Sequence, residues 1–306
     1  MGAQTGDVGV PHAVDSEMTG SVRRANRLVL GLVVLAVVLG VGRGVLSPRG
    51  ARDALALGLM TSEIVLCFTL VLLGSLVEGF GFGLSLGTQW PYTRNIFVLM
   101  WRGDPEAAHR LVATAVGLIA VALVAVHANY MTIAGLVLVI VTALFGMGTL
   151  YVLAGRAPAF VHGTHGLLAY VVLLNYALGL AYPSVRLFPY LEANIALHPL
   201  LFAVFLGGMV TGQRGFMTPI GAFYRPTRIA HWVLVGHIAA ALLVIATLGW
   251  LMPLYPIAFY LSVAQVAVGF FLFHAVNLRP KAPGAVVAFH QTMVLLMTAA
   301  IIWQWR

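Results

Sequence analysis

Asp104-Pro105-Glu106-Ala107-Ala108-His109-Arg110-Leu111-Val112 opens an apolar run that continues to about residue 126. Proline suits a first helical turn, where its missing N–H costs nothing, and Asp104 before it is a good N-cap. The stretch therefore reads as the mouth of a helix. It sets an acid, an imidazole and a guanidinium within one and a half turns of each other. The apolar run behind it has about the 20 residues that a bilayer crossing needs.

The rest of the chain is built from runs of the same kind. Of its 306 residues 61% are hydrophobic and 8% charged, and mean hydropathy is +0.97. Water-soluble domains carry roughly 25% charged residues. Nine apolar runs, near 28–46, 55–79, 107–126, 131–153, 162–182, 193–212, 229–250, 255–277 and 285–304, predict an all-α integral membrane protein with about nine transmembrane helices. The short loops leave no room for a soluble domain. Residues 1–27 lack an apolar core and contain Asp7, Asp15 and Glu17, which argues against a cleaved signal or transit peptide. The net charge of +8 is mostly arginine at helix ends, so it points to a membrane surface or an acidic ligand and not to nucleic acid. Cys67 is the single cysteine, which excludes an internal disulfide and a thiolate metal cluster.

From about residue 55 the chain reads twice. Leu73-Gly74-Ser75-Leu76-Val77-Glu78-Gly79 closes one run, and Leu206-Gly207-Gly208-Met209-Val210-Thr211-Gly212 closes another 133 positions later. Gly146 matches Gly269 at an offset of 123. His109 and His231 stand 122 apart, each four or five residues after a proline (Pro105, Pro226). His165 and His290 stand 125 apart, each seven residues after a proline (Pro158, Pro283). Two tandem four-helix units, residues 55–185 and 186–306, explain this most economically, with residues 1–54 forming a tail and an extra helix. If each run crosses once, the helices bearing the four histidines are parallel. At 1.5 Å per residue, their imidazoles then lie at one depth, about 6–10 Å inside the helix mouths.

An imidazole inside a membrane span is expensive and marks a functional site by default. Two neutral imidazoles from two helices can ligate an iron porphyrin axially, whereas zinc would call for carboxylate or thiolate ligands that are scarce here. One histidine pair per unit implies two haem sites. Haem propionates need guanidinium partners, and Arg94, Arg102, Arg110, Arg156, Arg225, Arg228 and Arg279 lie on the histidine side. Arg110 and Arg228 sit nearest a histidine. Glu106 shares a helical face with His109 and Arg110. It either favours the helix N-terminus or moves protons beside a haem. His162, one turn before His165, is a rival ligand. His12, His127, His198, His237 and His274 read as structural or interfacial.

With these residues in place the chain resembles the haem A synthase family. The resemblance rests on Glu106-Ala107-Ala108-His109-Arg110-Leu111-Val112, which is similar to that family's Glu-x-x-His-Arg signature. The Gly74-to-Gly79 turn with Gly87-Thr88-Gln89-Trp90-Pro91, the second-half Val210-Thr211-Gly212 and the repeated histidines add to it. It covers roughly residues 55–306. It implies a multi-pass protein of a prokaryotic-type plasma membrane that oxidises the C8 methyl of haem O to a formyl group. It further implies a cofactor haem b held by His231 and His290 with Arg228, and substrate haem O held by His109 and His165 with Arg110. Glu106 is then the catalytic acid, and a haem O synthase and a membrane electron donor are the expected partners.

The chain departs from that pattern in three ways. Residues 80–103 hold no cysteine where many members carry a pair, which excludes a thiol-based step. The run near 28–46 is additional. The arginine distribution puts the histidine side in the cytoplasm, whereas the resemblance implies the outside. Two rivals stand beside this reading: a dihaem electron carrier of the cytochrome b type, and a membrane scaffold or transporter whose histidines only bridge helices.

Overall fold

A computed structural model describes residues 16–92 and 95–305, with side chains from Gly20 onward. His12 and Arg94 lie outside the described residues. Every described element is helical: α1 (Ser16–Val45), α2 (Ala51–Gly79), α3 (Ile96–Arg102), α4 (Pro105–Val126), α5 (Tyr130–Leu153), α6 (Phe160–Ala181), α7 (Leu187–Ala193), α8 (Leu197–Arg214), α9 (Ile229–Trp250), α10 (Pro256–Leu278) and α11 (Val286–Gln304). Eight are long and apolar enough to cross a bilayer, and a ninth crossing arises if α7 and α8, bent by 103° at their junction, form one span. The protein is an all-α, multi-pass membrane protein.

Three features differ from the sequence expectation. α1 begins at Ser16 and not near residue 28, so Arg23, Arg24 and Arg27 ride on its first turns. Polar residues there cost little because that end lies at the membrane edge. The two short helices α3 and α7 have no periodic apolar signal long enough to announce them. The apolar run near 193–212 becomes α7 plus α8, broken where Asn194 caps α7 and Ala196 starts α8.

The α4 mouth forms as its sequence dictates. Asp104 accepts hydrogen bonds from the N–H groups of Glu106 (2.8 Å) and Ala107 (3.0 Å), and Pro105 occupies the first turn. Before it, Gly103 at φ 99° ends α3 in the left-handed region that a side chain disfavours.

Helices that follow one another pack together in both halves, but the ring of contacts closes only in the first. In the first half α2, α4, α5 and α6 pack in a ring, α2 on α4, α4 on α5, α5 on α6 and α6 on α2. In the second, α8 packs on α9, α9 on α10 and α10 on α11. The halves meet through α6 against α8 and α11 against α2, and these two contacts are equivalent under exchange of the halves. α1 packs along α2 where small residues let the backbones approach. A Cβ on Gly58 would stand 2.6 Å from the Gly40 carbonyl oxygen, and Ser62 Oγ donates to Ala36 O at 2.9 Å.

Candidate functional site: four imidazoles facing four glycines

Four histidines share one local construction. His109 on α4 sits against Gly74 of α2, and its Nδ1 is 3.1 Å from Leu70 O. His165 on α6 sits against Gly146 of α5, with Nδ1 3.0 Å from Thr142 O. His237 on α9 sits against Gly207 of α8, with Nδ1 2.9 Å from Ala203 O. His290 on α11 faces Gly269 of α10, and its Nδ1 is 3.0 Å from Gln265 Nε2. Each Nδ1 partner belongs to the residue one helical turn before the facing glycine. A carbonyl bonded to Nδ1 fixes the tautomer that carries its proton there and turns a basic Nε2 away from the backbone.

The glycines matter for room. A Cβ would lie 3.4 Å from His109 Cε1 at Gly74, 3.0 Å from His165 Cε1 at Gly146, and 3.2 Å from His237 Cε1 at Gly207. At Gly269 the corresponding distance is 3.8 Å. The four rings are half-buried. No described residue hydrogen-bonds their Nε2 atoms.

The pairing of these rings revises the expected ligand set. His237 and His290 face each other with ring centroids 6.4 Å apart and planes at 52°. The expected partner, His231, is engaged elsewhere. Its Nδ1 accepts from Thr227 N–H at 3.1 Å and its Nε2 lies 2.9 Å from Ile220 O, so both nitrogens are spent on the loop after α8. His237 had read as structural on a different face. Helix register is part of the cause: Pro105 is the first residue of α4, but α9 starts at Ile229, three residues beyond Pro226, and His237 lies about one further turn into its helix than His109 does. Counting from the proline put the second-half imidazole six residues too early. The glycine motif, Gly74 against Gly207, was the signal that could have found it.

In the first half His109 and His165 each sit against the glycine of a neighbouring helix, Gly74 and Gly146. His162 is not in the equivalent place. It lies in the seam between α6 and α8, edge-on to Phe216 at 5.6 Å, with its Nδ1 unpartnered.

Glu106 and Arg110 are in contact, but not with His109. Glu106 Oε1 accepts from Arg110 NH2 at 2.5 Å, and Oε2 accepts from Ser85 Oγ at 2.9 Å and Leu86 N–H at 3.2 Å. Arg110 NH1 also donates to the carbonyls of Gln89 and Pro91. The pair is buried and holds the loop between α2 and α3 against the α4 mouth. In the second half Arg228 and His231 hold the loop after α8 in the same manner, Arg228 NH2 donating to Ile220 O. Arg102, Arg156, Arg225 and Arg279 are exposed on the histidine side.

One further cluster was not foreseen. Thr211 Oγ1 donates to Glu78 Oε1 at 2.8 Å, and Arg214 NH1 lies 3.6 Å from the same oxygen. Arg214 also donates to Thr218 O at 3.1 Å and Pro280 O at 2.5 Å. This buried group ties α2 to α8 across the two halves.

The donor set fits haem better than a small ion. Metal–imidazole bonds are about 2.0–2.1 Å, so two axial imidazoles on one iron place their centroids about 6 Å apart. The His237–His290 separation matches that, and the facing glycines keep side chains off the rings. Groups of three or more His, Cys, Asp or Glu side chains that could hold a bare metal ion are absent among the described residues. Comparison with protein-family models, curated proteins and solved structures finds no match for this chain.

Proposed function

We propose that the protein is a dihaem membrane oxidoreductase similar in activity to the haem A synthases, oxidising the C8 methyl of haem O to a formyl group at the plasma membrane. The observation that carries the reading is the imidazole pair His237–His290 at 6.4 Å, with Gly207 and Gly269 facing it. In this assignment His237 and His290 hold a cofactor haem b, with His237 in place of His231. His109 and His165 hold the substrate haem O. Bound haem supplies the electron-transfer and oxygen chemistry.

The chain's own residues bind and orient. The carbonyl acceptors at Nδ1 of His109, His165 and His237 hold those three rings in the tautomer whose Nε2 can ligate iron. Arg110 and Arg228 stand at the mouths of α4 and α9, their remaining N–H groups available to propionates. Glu106 is a positioning residue: it acts through Arg110 and the loop that Ser85 and Leu86 anchor. A haem O synthase as supplier of substrate and a membrane electron donor are the partners this reaction requires.

A second reading, a dihaem electron carrier of the cytochrome b type, is favoured by one observation. Both Glu106 oxygens are already taken by Arg110, Ser85 and Leu86, which leaves no unengaged acid beside the first pair. Co-expression with a haem O synthase, followed by extraction and identification of the haems, separates the two. Hydroxylated haem O or haem A is expected. Bound haem recovered only as unmodified haem O or haem b would establish the carrier, and a folded protein with no Soret band would remove both.

A further inference from the structure

Glu63 lies on α2 far from both imidazole pairs, fully buried, and neither carboxyl oxygen has a hydrogen-bond partner. It is twelve residues from Ala51 and sixteen from Gly79, or about 18 and 24 Å along the helix. That is deep inside a hydrocarbon core about 30 Å thick. Gly74, against which His109 packs, is eleven residues further on, about 16 Å away.

The neighbours come from α6. Met60 Sδ would stand 3.6 Å from a Cβ at Gly179. α2 and α6 run antiparallel, so one turn on along α2 and one turn back along α6 sets Glu63 opposite Asn175 and Tyr176. The carboxyl and the phenol are within electrostatic reach of each other. Both α6 residues are fully buried, and both have unpartnered oxygens, Asn175 Oδ1 and Tyr176 Oη. Asn175 is held by its other end, Nδ2 donating to Met131 O at 2.9 Å. On α5, Gly135 leaves room for them; a Cβ there would fall 2.5 Å from Tyr176 Oη and 2.8 Å from Asn175 Nδ2.

Three acceptor oxygens and one hydroxyl are thus buried at one level of α2 and α6 without a matching supply of hydrogens. Tyr176 can donate one. The titratable groups facing Glu63 are Cys67, one turn on along α2, and Tyr176; α1, α4 and α11, which also pack on α2, bring none to it among the described residues. An acid so placed is costly and calls for a positive partner.

We propose that Glu63, Asn175 and Tyr176 form an intramembrane site for a small monovalent cation, a proton or a sodium ion, whose charge Glu63 neutralises. The carboxyl group, the amide carbonyl and the phenol oxygen are hard ligands suited to either. The site stands apart from the imidazole pairs and does not depend on what they bind.

The test is infrared difference spectroscopy on the whole protein in lipid, following the C=O stretch of the protonated Glu63 carboxyl, assigned by its loss in Glu63→Gln. In sodium-free buffer the band should disappear as pH rises. If sodium at fixed low pH also removes it, the ion is sodium; if only pH does, it is a proton. A band unchanged by pH and by sodium, or absent throughout, would overturn the site. Tyr176→Phe retains the carboxyl and serves if Glu63→Gln does not fold. It should shift the midpoint about tenfold, since the hydroxyl that can turn to the ionised carboxylate or ligate the ion is removed: upward in proton affinity or downward in sodium affinity. An unchanged midpoint would likewise overturn the proposal.

Discussion

His237 and His290 come from the second and fourth crossings of the second half, and their ring centroids are 6.4 Å apart. α9 and α11, which carry them, both pack on α10, which lies between them in the chain. The two rings therefore approach each other from the two helices that flank α10.

His237→Ala or His290→Ala should each remove about half of the bound haem, leaving the first pair occupied, as read from pigment extraction per protein. His231→Ala should leave the low-spin spectrum intact. Its cost falls on the loop after α8, about 1–3 kcal/mol for the buried hydrogen bonds it strands. Loss of the low-spin signal in His231→Ala with retention in His237→Ala would restore the register expected from the prolines.

The facing glycines should tolerate alanine in a graded order. Gly269→Ala, with 3.8 Å to His290, is the mildest; Gly74→Ala follows at 3.4 Å, then Gly207→Ala at 3.2 Å and Gly146→Ala at 3.0 Å. Haem retention in the purified variants should fall in that order while helicity by circular dichroism stays constant. A flat series would mean that the glycines serve helix packing alone.

Removing either member of the buried Glu106–Arg110 pair should destabilise by about 3–5 kcal/mol, because the partner is left as an uncompensated charge. Arg110→Ala should also free the loop at Gln89 and Pro91, measured as faster proteolysis between α2 and α3. Glu106→Gln, which keeps the shape and one acceptor, should lower turnover yet keep haem bound. Full turnover in Glu106→Gln would reduce it to a scaffold for the helix mouth.

Asp104 stands outside the span, and burial raises its carboxyl above the ordinary range despite the N–H groups of Ala107 and Glu106 and the nearby Arg110. A folded value above the unfolded one contributes stability that is complete below the unfolded value and is lost as pH rises through the folded value. Asp104→Asn keeps a good cap without the charge. The variant should gain on the wild type as pH rises from the acid end to neutrality, in thermal unfolding followed against pH. A difference that runs the other way would show that the charge itself holds the α4 mouth.

Much of the architecture is legible because a bilayer permits few solutions. Each apolar run of about 20 residues must satisfy its own backbone and so becomes a helix, and the runs beginning near 107, 229, 255 and 285 start within two residues of α4, α9, α10 and α11. The histidines were harder to place. A 3.6-residue period fixes which face a residue takes only when the helix start is known; α9 starts three residues beyond Pro226, and His237 lies a further turn into it than His109 does into α4. The Glu106–Arg110 pair was visible as spacing, but its loop partners Ser85, Leu86, Gln89 and Pro91 are tertiary facts with no local signal. Glu63 is a single acid in an apolar run, and its α6 neighbours lie more than a hundred residues away.

Glu78 and Arg214 meet only after both halves are present, yet each sits in a helix of a different half. During synthesis α2 enters the membrane long before α8, so its acid stays without its cation until the second half inserts. The early half is thus incomplete in charge as well as in packing. A chain stalled between the two halves leaves Glu78 in lipid without the cation and the hydroxyl that meet it in the finished protein.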